Sequence, residues 1–467
     1  MSDTTIVLIT LVIYKVILLL IGFWASKRSQ STTDYFLAGR QLGPWVAAIS
    51  ASASSSSAWT LLGVSGAAYL WGFSAIWLLP SVLLGFCFNW FWLAPRIQKL
   101  SQAEKAVTLT DLLVPQPHQT MALTIRRAAT MIIVFSFTFY IASQFKAAGT
   151  SFNSVFDLSF NHAIILGALI IMIYTLLGGF WAVSVTDTLQ GLLMAGTALV
   201  LPIAALIHLG GLGEMVTKIE QLQLIGFTSW SGEHSGIAAL GFIIGLLGIG
   251  NGYPGQPHVV NRFMALKDKR SLDQGRVIAL TWAIFVYVGM LILGWSGRVI
   301  VPFLSDGESV FFAVTQTLFS PMVAGIMIAA VLSAVMSTAD SQILVVSSSV
   351  AYDLKPGQRT HSVLGARLAV LGVCLFATLL ALYMDDAIFS RVLFAWHAIG
   401  SAFGPILIVR LMRRQMNNGI ALWSMMVGFG LTVFINHYPN WPGDFAERWI
   451  PFTLAFAIAL LGSKKPS

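Results

Sequence analysis

Ile49-Ser-Ala-Ser-Ala-Ser-Ser-Ser-Ser-Ala-Trp59 places six serines in eight residues, inside an apolar stretch that runs from about 44 to 70. A serine hydroxyl competes with its own backbone for hydrogen bonds, so such a run is expected to unwind a helix. Five candidate spans further on, Gly245-Leu-Leu-Gly-Ile-Gly-Asn-Gly-Tyr-Pro-Gly-Gln-Pro257 packs five glycines and two prolines into thirteen residues. Neither stretch reads as an uninterrupted helix. Within a bilayer, irregular backbone is tolerated only where it lines a cavity or is buried in protein. Broken spans in corresponding halves point to a secondary transporter built as an inverted repeat, with its binding site at the breaks. Close helix packing would explain small residues, but it does not call for clustered serines or paired prolines.

The rest of the chain supports a membrane setting. Hydrophobic residues make up 57% and charged residues only 10%, and mean hydropathy is +0.79, a composition in which apolar runs of spanning length recur. Thirteen candidate spans follow: about 5–25, 44–70, 74–95, 125–150, 161–178, 182–208, 236–257, 275–301, 321–350, 363–384, 388–409, 419–436 and 449–463. The longest gaps, 96–124 and 209–235, are too short for a soluble domain. Residues 1–467 therefore read as one all-α membrane domain. Core repeats are expected at about 42–208 and 236–411, with peripheral helices at about 5–25, 419–436 and 449–463.

Charge orients the spans. With the N-terminus outside and the spans alternating, 21 of the 27 Lys and Arg residues fall on the inner side, a strong positive-inside bias. Acids such as Asp157, Glu214, Glu308, Asp385 and Asp444 fall outside. The expected placement is a multi-pass protein of the inner (plasma) membrane, with the C-terminus cytoplasmic. The net charge of +8 thus reflects topology; no basic stripe interleaved with aromatics suggests nucleic acid. The first span lacks a small-residue cleavage site and carries Lys15 near its middle, so it reads as a retained helix. Lys15 receives no role, whereas Lys146, a few residues from the outer end of its span, reads equally as a partner for a carboxylate, the solute's or the protein's, or as a side chain snorkelling to the interface. Cys87 and Cys374, both within spans, read as buried small hydrophobes.

The ninth span holds Ser333-Ala-Val-Met-Ser-Thr-Ala-Asp-Ser-Gln342. On a helix, Ala334, Ser337, Thr338 and Ser341 fall at i, i+3, i+4 and i+7 and share one face, which Asp340 borders. A carboxylate at mid-membrane costs about 2.5–3.5 kcal/mol on insertion scales, so it calls for a function or a partner. An all-oxygen stripe suits a small hard cation.

Several blocks together resemble the sodium/solute symporter family. They are Asp34-Tyr-Phe-Leu-Ala-Gly-Arg40, Ser57-Ala-Trp59, Tyr140, Gly178-Gly-Phe-Trp-Ala-Val-Ser-Val-Thr-Asp187, Gly255-Gln-Pro-His258 with Arg262, and Ala334-Val-Met-Ser-Thr338. The resemblance covers nearly the whole chain. It implies about thirteen spans in a LeuT-type inverted repeat of two five-helix units with broken second and seventh spans. It also implies alternating access driven by sodium, with no cofactor. Carried over by position, it implies a sodium site at Ala53, Ser56, Ala334, Ser337 and Thr338. A possible second site comprises Asp187, Ser337, Asp340 and Ser341. Solute contacts fall to Tyr140, Tyr253, Gln256 and Pro257, with Trp59 and Ile249 beside the cavity.

Three positions depart from the family's proline-transporting members. Ser55 stands where they have an aspartate, Ile249 where they have a tryptophan, and Asp340 where they have a small polar residue. The implied solute is proline or another amino acid, the alternative being a small carboxylate such as a monocarboxylate or pantothenate. A cation channel or a membrane solute sensor are the readings of another class. The expected partners are the solute, sodium and the lipid bilayer, with no obligatory protein partner evident. No phosphate-binding glycine loop, metal-spaced His/Cys cluster or nucleophile elbow suggests an enzyme.

Overall fold

The computed structural model describes residues 3–26, 37–154, 156, 158–175, 180–354, 363–383, 387–438 and 441–465. Residues 34–36 and 178–179 of the family blocks, and the acids Asp157, Asp385 and Asp386, lie outside the described residues. Each of the thirteen expected spans coincides with helix over its described residues. Spans 1–6 are Asp3–Ser26, Pro44–Trp71, Leu78–Ala103, Ala122–Asn153, Phe160–Thr175 and Phe180–Leu209. Span 7 begins at Gly236 and ends at Met264; spans 8–10 are Lys269–Ile300, Pro321–Ser348 and Val363–Tyr383. Spans 11–13 are Ile388–Leu411, Asn418–Asn436 and Phe445–Leu461. Among the described residues, nine helical stretches are long and apolar enough to cross a membrane on length and composition alone. Local chemistry sets the starts. Pro44 and Pro321 occupy the first turns of spans 2 and 9, where a missing N–H costs nothing. Asp268 caps span 8 by accepting from the Ser271 N–H (2.7 Å).

Three short helices lie in stretches expected as loops: Leu109–Leu113, Leu212–Gln221 and Val310–Leu318. The first is nucleated by a reciprocal Thr108–Asp111 capping box. The core gathers spans 2, 6, 8 and 9, each packed on span 2, with span 4 against spans 9 and 11. Span 11 lies along the break in span 7, spans 12 and 13 flank span 11, and span 1 lies on spans 6 and 9.

The breaks differ from expectation in one respect. Residues 50–56 remain helical, because the hydroxyls of Ser54 and Ser55 donate to the carbonyls of Ala51 (3.3 Å) and Ser52 (3.0 Å) within the same turn. Only Ser57 departs, at φ 48°, ψ −172°, and it is followed by a π-turn at Trp59–Gly63 before helix resumes at Val64–Trp71. Span 7 breaks as expected. Helix Gly236–Leu247 gives way to a 3₁₀ run at Gly248–Gly255, then extended Gln256, then helix Pro257–Met264. Both cysteines are free, and only Cys374 is buried; Cys87 faces outward, which corrects its reading as a buried hydrophobe.

Candidate functional site

The oxygen-bearing face of span 9 meets the break in span 2. Ser337 Oγ donates to the Ala53 carbonyl (3.4 Å) and to its own-helix Ala334 carbonyl (3.2 Å), while Thr338 Oγ1 donates to the Ser54 carbonyl (3.1 Å). All five of these residues are fully buried. The Ser56 carbonyl accepts from Thr60 Oγ1 one turn further on. Three of the five expected sodium ligands, Ala53, Ala334 and Ser337, are thus joined by direct contacts, and Thr338 is tied to the same turn of span 2 through the Ser54 carbonyl. Oxygens of this kind at this spacing can hold a hard cation.

Ser57 lies in a backbone region that costs roughly 1–3 kcal/mol for a residue with a side chain. Its hydroxyl accepts from the Trp59 N–H (3.1 Å) and from the Tyr140 hydroxyl (3.3 Å), and Gln144 Oε1 accepts from the Ala58 N–H (3.1 Å). Span 4 therefore satisfies the Ala58 amide that the break releases, and the Ser57 hydroxyl satisfies that of Trp59. Beyond it, Trp59 packs on Tyr287 (centroids 6.1 Å) and Phe389 (5.5 Å), and Tyr287 shares a hydrogen bond with Thr60 (3.0 Å). Tyr253 packs on Phe86 (5.4 Å) and Trp396 (4.8 Å), and its carbonyl accepts from Asn89 Nδ2 (3.1 Å).

Trp59, Tyr140 and Tyr253 thus line one buried region, and Ile249 and Gln256, like Tyr253, meet Trp396, with buried Pro257 next in the chain. Gln256 Nε2 is committed to the carbonyls of Gly252 (3.0 Å) and Trp396 (2.9 Å), and Trp396 Nε1 donates to the Ile249 carbonyl (3.3 Å). Gln256 Oε1 has no partner. Sequence reading missed Thr60, Tyr287, Asn89 and Trp396. Each is an unremarkable apolar-face residue until the fold brings spans 3, 8 and 11 to the breaks.

The second expected cation set is arranged differently. Arg262, from the helix after the span 7 break, directs Nη2 to Asp187 Oδ2 (2.7 Å) and to Ser341 Oγ (2.6 Å), and Nε to Ser50 Oγ (2.9 Å). Ser341 and Ser50 also donate to the same carboxylate oxygen, at 3.2 and 3.0 Å. Asp187 and Ser341 do come together, but around a guanidinium rather than an open oxygen shell. Ser337 turns instead to the first set. Asp340 is buried nearby with no side-chain hydrogen bond to either oxygen.

The profile of the sodium:solute symporter family matches residues 35–428. The chain belongs to that family. This symporter is 36% identical to the high-affinity proline transporter of Bacillus subtilis (strain 168), over 95% of this chain and 94% of that one. It is 35% identical to the sodium/proline symporter of Escherichia coli (strain K12), over 100% and 95% of the two chains. Among solved structures, it superposes on a substrate-bound, outward-open sodium-coupled sialic acid symporter with a TM-score of 0.80 at 19% identity, covering 99% of both chains. A nucleobase-cation-symport-1 transporter in a closed conformation gives 0.57 at 14% identity, covering 91% of this chain and 92% of that one. These likenesses establish the LeuT-type fold. The symporter is a multi-pass membrane transporter, not an enzyme, and sodium is its coupling ion.

One further group stands at the symporter's acidic end. Glu308, in the loop before span 9, accepts from the first amides of span 11, Ile388 N–H (3.1 Å) and Phe389 N–H (2.8 Å). Burial pushes its carboxyl above the usual range, and those two N–H groups oppose the shift. Phe389 in turn packs on Trp59 and Trp71, so the loop is clasped to the start of span 11 beside the aromatic region. In the sequence Glu308 is one loop acid among several.

Proposed function

We propose that this symporter imports proline, or an amino acid of similar size, with sodium bound by Ala53, Ser56, Ala334, Ser337 and Thr338. The observation that carries the reading is the convergence of Ser337 and Thr338 on the Ala53 and Ser54 carbonyls at 3.1–3.4 Å, within two turns of Trp59, which packs on Tyr287. A cation there exchanges hydroxyl–carbonyl hydrogen bonds for coordination and ties span 2 to span 9. The same turn of span 2 carries Ser57, which holds Tyr140, so filling the ion shell organises one wall of the solute pocket. That linkage is the physical basis of coupling.

The ring faces of Trp59, Tyr140 and Tyr253 suit an apolar ring, and the partnerless Gln256 Oε1 suits a solute ammonium group. Pro257 and Ile249 complete the opposite wall. The names of the two proline-transporting relatives support the same solute. The distribution of basic loops supports an N-terminus outside and a C-terminus inside the plasma membrane. One transport domain, with core repeats about 42–208 and 236–411, accommodates all of this.

The test is reconstitution into vesicles with an imposed sodium gradient. Labelled proline should accumulate transiently above equilibrium, and accumulation should vanish when sodium is replaced by choline. Faster uptake of a monocarboxylate or of pantothenate than of any amino acid would overturn the solute. Equal uptake in sodium and choline would overturn the coupling.

A further inference from the structure

Span 13 reads as a peripheral helix, yet its first turn grips the break in span 7. Helix Gly236–Leu247 ends at that break, and the last carbonyls of a helix lack partners further along it. Two of them are met by consecutive side chains of span 13. Trp449 Nε1 donates to the Ile244 carbonyl (2.7 Å), and Arg448 Nη1 donates to the Gly245 carbonyl (3.3 Å). The contact is reciprocal, because Asn251 Nδ2, from within the 3₁₀ run, donates to the Arg448 carbonyl (3.2 Å). Glycines admit this approach. A Cβ on Gly248 would lie 2.7 Å from Trp449 Nε1 and 2.8 Å from Arg448 Cβ, and one on Gly245 would lie 2.2 Å from the Gly443 carbonyl oxygen. Gly443, in the turn before span 13, itself takes φ 65°.

Arg448 is fully buried, and a buried guanidinium is costly unless it is paired. Its Nη2 pairs with the carboxylate of half-exposed Asp444, one turn earlier on the outer side. The charge also stands at the C-terminal end of helix Gly236–Leu247, where the helix dipole favours a cation. Close packing alone calls for neither the guanidinium nor the Asn251 amide, since apolar side chains fill such space without desolvation. The break is thus held from two sides: Trp396 of span 11 takes the Ile249 carbonyl, and span 13 takes the carbonyls just before it. Tyr253 and Gln256 follow Asn251 by two and five residues. We propose that Arg448 is a positioning residue for solute binding, which with Asn251 fixes the course of the span 7 break and so places Tyr253 and Gln256. This rests on the proline-symporter reading and gives span 13, outside both core repeats, a part in solute affinity. The hydrogen bonds of Arg448 run to span 7 and to its own helix, none to spans 2 or 9, so solute and sodium affinities part company here.

The deciding measurement is proline uptake by proteoliposomes as a function of proline and of sodium. Arg448→Met removes the donors and keeps most of the volume. Its KM for proline should rise about tenfold, the worth of one hydrogen bond from a charged group. Its maximal rate, and its half-saturating sodium at saturating proline, should stay those of the wild type. Arg448→Lys, whose ammonium serves as a point charge rather than a fork, should lie between. Asn251→Leu removes the reciprocal bond without leaving a charge unpaired, and should raise KM in the same selective way. Glu447→Gln, on the same turn but bonded to Asn436 of span 12, should leave KM unchanged. A wild-type KM in both Arg448→Met and Asn251→Leu overturns the proposal. A parallel loss of maximal rate and sodium affinity also overturns it, because the contact is then scaffold only. If Arg448→Met fails to insert, Arg448→Lys and Asn251→Leu decide by the same criteria. A wild type that accumulates no amino acid overturns the transport reading instead, and the proposal with it.

Discussion

The break in span 2 turns on one residue, Ser57, whereas the break in span 7 spreads over Gly248–Gly255. The first keeps its helix through the serine run and spends one strained residue to redirect the chain. Its carbonyls at Ala53 and Ser54 point to the hydroxyls of span 9. The second offers no such hydroxyl-bearing face. Its glycines let span 11 approach the backbone directly: a Cβ on Gly252 would lie 2.1 Å from Trp396, and one on Gly400 would lie 2.4 Å from the Gly252 Cα. One break is built to present oxygens, the other to remove side chains from an interface. Irregular backbone at membrane depth therefore has two distinct uses in one molecule, and residue type indicates which applies.

Substitution at the tight break should have the largest effect. Gly252→Ala forces the Trp396 ring from its place, at a cost of about 1–3 kcal/mol for overpacking, and displaces Gln256 with it. Proline uptake should fall more than about a hundredfold, since misplacement of about 1 Å can cost that much. Near-normal uptake by a stably folded variant would mean that span 11 yields readily and that the contrast is overstated.

At the oxygen-bearing break the effect should be confined to the ion. Ser337→Ala and Thr338→Ala each remove one oxygen that a charged partner uses, worth about 1.5–3 kcal/mol. The sodium concentration for half-maximal uptake should rise about tenfold to a hundredfold, with insertion unaffected. Identical sodium curves for both variants and the wild type would remove the ion from this break.

The clasp at the acidic end comes next. Glu308→Ala leaves two span 11 amides unsatisfied, at about 1–3 kcal/mol. Cysteines introduced on the Trp59–Phe389 side should become more reactive toward membrane-impermeant reagents, by roughly tenfold. Glu308→Gln, which keeps one acceptor oxygen, should lie between. Unchanged labelling would reduce the clasp to a loop contact.

Ile249→Val should have the smallest effect. It removes one buried methylene, worth about 0.5–1.5 kcal/mol. Uptake of proline relative to a bulkier amino acid should shift by no more than about tenfold. Loss of all transport would instead assign Ile249 to the scaffold of the second break, with Gly252.

Composition and periodicity by themselves determined the membrane setting, the positions of thirteen spans, the two breaks and the oxygen-bearing face of span 9. These are properties of consecutive residues: a run long enough to cross the bilayer, a glycine or proline that cannot continue a helix, hydroxyls at i, i+3, i+4 and i+7. The ordered motif blocks added the family. Only the tertiary structure decided which charges neutralise one another. Arg262 reaches Asp187 across 75 residues, and Glu308 caps a helix that starts 80 residues later. No local pattern encodes such pairings, because they depend on which spans the fold sets side by side. The same reason explains why the serine run stayed helical while Ser57 alone turned. Hydroxyls can satisfy either a helix or a break, and the contacts of Ser57 with Tyr140, and of the next residue's amide with Gln144, choose the point of rupture.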